Sequence, residues 1–371
     1  MKWPIKKLSE LSEVITKGTT PTSLGFSYTS SGIRFLRAQN INYGNVNFFD
    51  DDLYIDVDTH RALARSQILN GDLLVSIAGS IGRSGIVVSN NEPLNCNQAV
   101  AIVRLKKGVN ENYISHVLDS QAVKDQIRNS TVTGVISNLS LSQLGNLKIP
   151  LPPLAEQQRI AALLDTADRI LKQRESAITK LDQLAQSVFV NMFSEGNSNA
   201  IGWVISEFED VVSDITKQFD KVDSNQYMSE GKTPVIDQGA DFICGYTNIV
   251  PSKKKQSQYH IIFGDHTRRL KFVDFDFILG ADGTKVLLPK IEINIKYLFY
   301  YLSYLKIEEA GYSRHYKFLK RSMILLPPRN LQDKFASFVD VLEIKSKKMY
   351  EMKSQVAALI SSLQHQSFAV N

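Results

Sequence analysis

The stretch that decides the fold is Ile149-Pro150-Leu151-Pro152-Pro153-Leu154-Ala155-Glu156-Gln157-Gln158-Arg159-Ile160, which is followed by a long segment of periodic apolar residues. A similar stretch begins 175 residues later and reads Ile324-Leu325-Leu326-Pro327-Pro328-Arg329-Asn330-Leu331-Gln332-Asp333-Lys334-Phe335, and another such segment follows it. This repeat is far longer than the roughly 20–50 residues of a solenoid repeat. It therefore predicts two globular modules, each of which ends in its own helix.

The beginnings of the two modules are also alike. Trp3, Ile15, Thr16 and Lys17 recur 200 residues later as Trp203, Ile215, Thr216 and Lys217. We predict a first domain over residues 1–150, a long helix over 151–195, a second domain over 196–328 and a second long helix over 329–371. Two similar modules in one chain predict two similar ligand sites that are held at a fixed distance.

The first domain is predicted to be an α+β fold with a small curled sheet and many loops. Short β-branched runs at 71–77 and 98–105 are bounded by Gly or Asn and are typical of strands. Apolar residues between Glu111 and Arg128 lie near helical spacing and predict a helix.

Each long segment after a Pro-Pro pair is predicted to be one helix with an apolar seam. The first helix runs from Leu154 to Phe193, and its seam is Ile160, Leu164, Ala167, Leu171, Arg174, Ile178, Leu181, Ala185, Val188 and Met192. The second seam is Phe335, Phe338, Leu342, Lys345, Met349, Met352, Val356, Leu359 and Leu363. One basic residue interrupts each seam.

Helices of about 40 residues span roughly 60 Å, which is more than a small domain can cover. Alternating steps of three and four therefore favour two helices that pack on each other as a coiled coil. The alternative is one long core helix in each domain. Antiparallel pairing would place one domain at each end of a rod, with a pseudo-twofold axis between them, and would suit a twofold partner such as duplex DNA.

Composition limits the class of protein. A chain of 371 residues is long enough for two or three domains, and its net charge of +5 permits a nucleic-acid partner without requiring one. Cys96 and Cys244 are far apart and have no ligand-spaced partners, which predicts buried thiols in a reducing compartment. No stretch approaches about 18 consecutive apolar residues, so we expect a soluble, cytoplasmic protein with no membrane partner.

The chain carries none of the enzyme motifs that a sequence reveals directly. It has no G-x-x-x-x-G-K-[ST] loop, no G-x-G-x-x-G after a strand, no G-x-S-x-G and no H-E-x-x-H. The Asn-Pro-Pro-aromatic motif of amino-methyltransferases is also missing, because the Pro-Pro pairs occur in Leu-Pro-Pro-Leu and Leu-Pro-Pro-Arg. The sequence therefore predicts a protein without catalytic residues and without a metal site.

Polar loops are the remaining candidates for function. In the first domain they are the segments 76–85 and 128–140, where Gly permits close backbone approach and Ser, Thr, Asn and Arg supply donors to phosphates and base edges. The alternative is that they are plain hairpin and connecting loops. The residues predicted to contact DNA are Ser80, Arg83, Ser84, Ser130, Thr131, Thr133 and Asn138.

The second domain is more basic in the corresponding loops. The segment 265–271 follows Gly264, and we align Gly264-Asp265 with Gly71-Asp72. The segment 314–321 interleaves basic and aromatic residues directly before the second Pro-Pro pair, although a charge run is often only a solvated face. The residues predicted to contact DNA are His266, Thr267, Arg268, Arg269, Lys271, Arg314, His315 and Lys317.

These features resemble the specificity subunits of type I restriction–modification systems over essentially the whole chain. The stretch 149–160 is similar to the opening of the central conserved helix of that family, and 324–335 is its degenerate counterpart. The departure is Arg329-Asn330-Leu331-Gln332, where the family usually has Leu-x-x-Gln or Leu-x-Glu-Gln. The segments 139–144, 264–268 and 280–287 are also typical, and the last of them adds Lys285 to the predicted DNA contacts.

The resemblance implies a non-catalytic DNA reader. Each domain would be a target recognition domain that reads one half of a split, asymmetric site in double-stranded DNA, and the paired helices would set the distance between the halves. The helices would also dock two modification subunits, which carry S-adenosylmethionine and the adenine methylation chemistry. Restriction subunits with ATP-driven translocation would join that core, so no cofactor is expected in this chain.

Two other functions remain open. An interaction scaffold could gather partners on its long helices without DNA. A recognition fragment of a fused methyltransferase–endonuclease would need a catalytic motif in the same chain, and none is present.

Overall fold

The computed structural model describes residues 3–89, 92–129, 138–194, 202–251, 257–280, 282–307 and 314–368. The chain divides into two compact units, one of Met1–Glu175 with Glu351–Asn371 and the other of Ser176–Tyr350. Each unit contains one domain together with half of each long helix. This is the predicted α+β class, with two tandem mixed domains that are each followed by a long helix.

The described residues of the first domain form three sheets. Its strands are β1 Ile5–Lys7, β2 Ser12–Lys17, β3 Ile33–Leu36, β4 Ile41–Asn42, β5 Gly44–Val46, β6 Leu53–Ile55, β7 Gln67–Ile68, β8 Leu73–Ser76, β9 Ser84–Ile86, β10 Leu94–Cys96, β11 Val100–Leu105 and β12 Lys148–Pro150. Its helices are α1 Leu8–Leu11, α2 Val57–Ala62, α3 Glu111–Asp119, α4 Gln121–Asn129 and α5 Leu141–Gly145. The strand orders are β2-β11-β8-β9-β5-β4, β6-β3-β10-β7 and β1-β12.

The core of the first domain lies on both faces of the largest sheet. Strands β8 and β11 are runs of Leu, Val and Ile that are buried on both faces, which confirms the strands predicted at 71–77 and 98–105. One face packs against α3 and the long helices, and the other packs against the four-stranded sheet. The single helix predicted from Glu111 to Arg128 is instead two helices, because Ser120 adopts an extended conformation between them.

The second domain repeats this plan. Its strands are β13 Val204–Glu207, β14 Val212–Asp214, β15 Thr233–Ile236, β16 Gly245–Thr247, β17 His260–Gly264, β18 Leu270–Val273, β19 Ile278–Leu279, β20 Thr284–Pro289 and β21 Met323–Leu326. After the long helix α6 (Leu154–Phe193), its helices are α7 Phe208–Val211, α8 Ile295–Tyr304 and α9 Tyr316–Leu319. The strand orders are β14-β20-β17-β18, β16-β15-β19 and β13-β21, so the first of these repeats the order β2-β11-β8-β9.

Strand register shows which positions of the two domains correspond. Ser76 pairs with the first residue of β11, and Gly264 pairs with the first residue of β20. Gly264-Asp265 therefore corresponds to Ser76-Ile77, and the alignment with Gly71-Asp72 was wrong. The sequence similarity was misleading because Gly71-Asp72 precedes a strand, whereas Gly264-Asp265 lies at the end of one.

A buried glutamine explains why the Pro-Pro stretch recurs. In the first unit, Gln157 donates to the carbonyl of Pro152 and accepts from the backbone N–H of Asn110, the residue that caps α3. Gln332 makes the same two bonds in the second unit, to Pro327 and to Asn294, which caps α8. Each Pro-Pro-x-x-x-Gln segment therefore fastens the start of a long helix to its domain.

The long helices begin at equivalent places. Helix α6 spans Leu154–Phe193, as predicted, and α10 spans Arg329–Phe368, so each starts directly after its Pro-Pro pair. The departure at Arg329 thus leaves the start of the second helix unchanged. Proline at these positions costs little, because the first residues of a helix have no intrahelical partner for their N–H groups.

Within each unit, the halves of α6 and α10 pack together. In the first unit, Ile160 and Leu164 share a core with Leu363 and Phe368, and Lys353 Nζ lies 2.9 Å from a carboxylate oxygen of Glu175. In the second unit, Phe189 and Phe193 of α6 contact Phe335 of α10, with ring centres 5.4 Å and 5.6 Å apart. The start of each helix is thus paired with the end of the other, which is the antiparallel order.

The seam of α6 is confirmed, whereas that of α10 is corrected at two positions. Leu359 is 69% exposed, and Ile360 packs against the first core in its place. Lys345 is also exposed, and Ser346 is half-buried at that level. Each correction moves one seam position by one residue, so a step of three followed by four becomes four followed by three, and the seven-residue spacing is kept.

Candidate nucleic-acid interface

Three loops of the first domain lie together at one end of the central strands of its largest sheet. Residues 77–83 follow β8, and the antiparallel neighbours place residues 18–20 and 97–99 at the same end. We call these residues the first loop edge. Asn138 also reaches it, because it forms a β-bridge with Ala78.

The 77–83 hairpin loop presents two of the predicted contact residues side by side. Gly79 and Gly82 have φ angles of 74° and 86°, a conformation that favours glycine. The hydroxyl of Ser76 closes the loop by donating to the carbonyl of Ser80 and accepting from the N–H of Arg83. Arg83 Nη2 lies 2.9 Å from Ser80 Oγ, so these side chains form a compact donor pair at the loop edge.

Ser84, by contrast, is fully buried at the start of β9. Its hydroxyl lies 3.1 Å from Asp119 Oδ1, and its backbone N–H also donates to that oxygen. Burial raises the pKa of Asp119 to about 7, an effect that Asp168 reinforces and that the Ser84 bonds and Lys124 oppose. Ser84 therefore anchors the end of the hairpin loop, and its position favours a structural role over DNA contact.

We expect Asp119→Asn to raise the free energy of unfolding at pH 8 by about 1–3 kcal/mol. A carboxyl whose pKa is higher in the folded protein binds its proton more tightly there, so its contribution to stability falls as the pH rises from about 4 to 7. The amide cannot ionise and still offers Ser84 an acceptor. Urea unfolding between pH 5 and pH 8.5 measures the difference between variant and wild type, which should grow with pH. Exposed Asp58→Asn is the control, and a pH-independent difference for Asp119→Asn would contradict the assignment.

The second domain presents its corresponding hairpin loop at residues 265–269, between β17 and β18. Thr267 and Arg269 are exposed there. Arg268 has a φ of 59°, and it is the only non-glycine residue with a positive φ in the ranges described. Its side chain lines a pocket of 570 Å³ together with Ser303 and Lys306, and its guanidinium lies 3.4 Å from the carbonyl of Ile307.

Two predicted contact residues of this domain lie in its interior. Lys271 is 6% exposed and donates to the carbonyls of Asp237 and Asp241 at 2.7 Å and 2.6 Å, and burial lowers its pKa. His315 is 3% exposed, and its backbone N–H and ring Nδ1 both contact the carbonyl of Asp265. These positions favour structural roles over DNA contact.

The other predicted residues of this domain lie around the same loop. His266 is half-buried, and its N–H donates to Gln238. Lys285 Nζ lies 3.0 Å from Asp214 Oδ2 and 4.9 Å from the centre of the Tyr316 ring. Arg314 and Lys317 are exposed on either side of His315. Ser130, Thr131 and Thr133 of the first domain lie outside the described residues.

Sequence reasoning missed several residues at these edges. Arg65 is exposed and donates to Thr19 Oγ1 at 3.0 Å, so it adds a basic side chain to the first loop edge. The turn sequence Gly18-Thr19-Thr20-Pro21 could have indicated this site. Gly18 is needed there because a Cβ at this position would lie 2.1 Å from the carbonyl oxygen of Asn97. Gln238 connects the loops of the second domain, and no local pattern marks it.

No group of three or more His, Cys, Asp and Glu side chains in the described ranges is arranged to hold a metal ion. In the same ranges, no helix combines the length and the apolar character that crossing a membrane requires.

Comparisons with known proteins give matches to type I restriction–modification proteins along the chain. Residues 1–180 match the family model described as the type I restriction modification DNA specificity domain. The chain is 24% identical to a putative type I restriction enzyme MjaX specificity subunit of Methanocaldococcus jannaschii, over 97% of this chain and 92% of that protein. It is 31% identical to the type I restriction enzyme EcoBI specificity subunit of Escherichia coli, over 44% of this chain and 35% of that protein.

Solved structures share the fold. The crystal structure of a type I restriction-modification S subunit from M. genitalium superposes with a TM-score of 0.62 at 17% identity, over 100% of this chain and 96% of that chain. A chain from a study of complex assembly and conformational transition of the type I R-M system gives 0.60 at 18% identity, over 99% and 97% of the two chains. The first 180 residues thus match the type I restriction modification DNA specificity domain, and the chain as a whole is similar to type I specificity subunits in sequence and in fold.

Proposed function

We propose that this chain reads a bipartite, asymmetric site in double-stranded DNA, with one domain on each half. The observation that carries the proposal is the repeated hairpin loop, which presents Ser80 and Arg83 in one domain and Thr267 and Arg269 in the other. Hydroxyls and guanidiniums are the donors that bind base edges and phosphates. The similarity of the chain to type I specificity subunits supports the same conclusion.

Arg268 adds an independent argument for the second domain. A non-glycine residue in the left-handed region costs about 1 kcal/mol or more, and such strain persists mainly where function requires the side chain. An arginine at this hairpin position, where glycine would fit without strain, is consistent with selection for its guanidinium. We assign Arg268 to the reading of the second half-site, together with the exposed Arg314 and Lys317.

The paired helices are proposed to set the distance between the half-sites and to dock partner subunits. Large apolar side chains remain exposed along both helices, and they are available to pack against partner subunits. They include Leu163, Leu184, Val341, Ile344 and Leu359. We propose two modification subunits as the occupants, with restriction subunits joining that core. S-adenosylmethionine and ATP would then bind to the partners, and this chain would be non-catalytic.

A gel-shift series tests this function against that of a scaffold without DNA. The chain together with its modification subunits should slow the migration of duplex DNA that contains the recognised site. It should slow a scrambled duplex far less. A complex that assembles but shows no preference for any duplex would support the scaffold. In parallel, isothermal titration of the chain alone with S-adenosylmethionine should give no heat of binding, and stoichiometric binding would overturn the non-catalytic assignment.

A further inference from the structure

We infer that Gln238 is a positioning residue for the second half-site, because its side chain joins the two loops that end the central strands of the second domain. Its Oε1 accepts from the backbone N–H of His266 at 3.0 Å, and its Nε2 donates to the carbonyl of Asp282 at 2.9 Å. Its own carbonyl accepts from Thr267 Oγ1 at 2.7 Å. This inference rests on the proposed function.

The space for Gln238 is provided by two glycines. A Cβ on Gly264 would lie 2.9 Å from Gln238 Cβ, and a Cβ on Gly283 would lie 2.6 Å from Gln238 Nε2. Both distances are shorter than side-chain carbons tolerate. Gly264 ends β17 and Gly283 precedes β20, so Gln238 fills the room that these two strand ends leave open.

The backbone on both sides of Gln238 is held in place by the buried Lys271. The buried Lys271 ammonium donates to the carbonyls of Asp237 and Asp241, on both sides of Gln238 in sequence. Asp237 also accepts from the N–H of Gly239 at 2.7 Å, which tightens this segment. The buried cation therefore fixes the backbone of residues 237–241. The hydrogen bonds of Gln238 then position the 265–269 loop relative to that backbone.

The first domain organises the corresponding loop differently. There the position of Gly264 is occupied by Ser76, whose hydroxyl bonds within its own loop to Ser80 and Arg83. The 265–269 loop has no such side chain at its base, so its geometry depends on a residue from a separate strand connection. Substitution of Gln238 should therefore affect the reading of one half-site only.

The test uses the complete chain assembled with its modification subunits. Gln238→Met keeps the volume of the side chain but removes both hydrogen bonds, and it should weaken binding to the recognised duplex by about ten-fold to one-hundred-fold. Discrimination against single-base changes in the second half-site should fall, whereas discrimination in the first half-site should not.

Gln238→Glu separates the two bonds, because it keeps the acceptor for His266 and loses the donor to Asp282. The carboxylate also places a negative charge against the carbonyl of Asp282, so its loss of discrimination in the second half-site should be at least that of Gln238→Met. Thr233→Val is the matched control, since it removes a buried hydrogen bond to Ile249 from the same connection region without touching the loops. It should leave discrimination in both half-sites unchanged.

Hydrogen exchange of the complex without DNA gives a readout that does not depend on the proposed function. Amides of residues 264–270 should exchange faster in Gln238→Met than in wild type, while those of 77–83 should not change. Unchanged exchange at 264–270, or equal loss of discrimination in both half-sites, would overturn the positioning role. Failure of the wild-type complex to discriminate in the second half-site would instead overturn the proposed function.

Discussion

Inserting seven residues into each long helix should widen the gap between the recognised half-sites and leave the bases within each half unchanged. Seven helical residues add about 10 Å, which corresponds to roughly three base pairs of duplex. One heptad also restores the apolar seam, so the helices should still pair. Because Lys353 lies beside Glu175, the two insertions belong after Glu175 and after Met352 to stay at one level of the pair. Insertion after Arg174 and after Lys345, which the sequence alone would suggest, does not meet that requirement.

A four-residue insertion at the same two places is the control for register. Four residues do not restore a seven-residue repeat, so the seam should be misaligned and the complex should be less stable. Sequencing of DNA methylated by each complex measures the gap directly. A complex that carries the seven-residue insertions, still methylates and keeps the original gap would refute the helices as the spacer.

Arg268→Ala should weaken binding to the recognised duplex by about 1–3 kcal/mol, which is the range for a lost bidentate base contact. The loss should be confined to the second half-site, and Arg314→Ala should act on the same half. Arg268→Gly should lose as much binding, yet its free energy of unfolding should be equal to or higher than that of wild type. Glycine relieves the strain of the positive φ, whereas alanine retains it.

Equilibrium binding and urea unfolding of wild type, Arg268→Ala and Arg268→Gly distinguish this result from simple destabilisation. Arg83→Ala in the corresponding loop of the first domain is the matched control and should act on the first half-site. Equal weakening by Arg268→Ala on probes altered in either half-site would contradict the assignment of the second domain. Lower stability of the glycine variant would contradict the strain argument.

The architecture could be predicted because it depends on patterns that recur in the sequence. The Pro-Pro-x-x-x-Gln segments and the apolar seams appear twice, and their bounds follow from helical spacing and from the positions where proline is tolerated. The repeat includes a further pair of positions. Asn110 and Tyr113 recur as Asn294 and Tyr297, and each tyrosine hydroxyl donates to the backbone carbonyl at the end of the strand before the Pro-Pro pair.

The exposure of the candidate site residues could not be predicted from the sequence, because it depends on tertiary packing. Ser84, Lys271 and His315 have side chains suited to DNA, but each one lies inside its domain and binds protein atoms there. Local sequence cannot distinguish these residues from Arg269 or Lys317, which are exposed. Gln238 lies outside every motif, since its importance comes from two glycines that are distant in sequence.

The measurement that tests the central claim most directly is the sequence context of bases methylated by the complete complex. DNA methylated by this chain and its modification subunits should show two short specified blocks, separated by a gap of fixed length in which any base is accepted. The second block alone should lose definition when Arg268 is replaced by alanine. One continuous block, or methylation without sequence preference, would contradict the account of two domains that read two halves of one site.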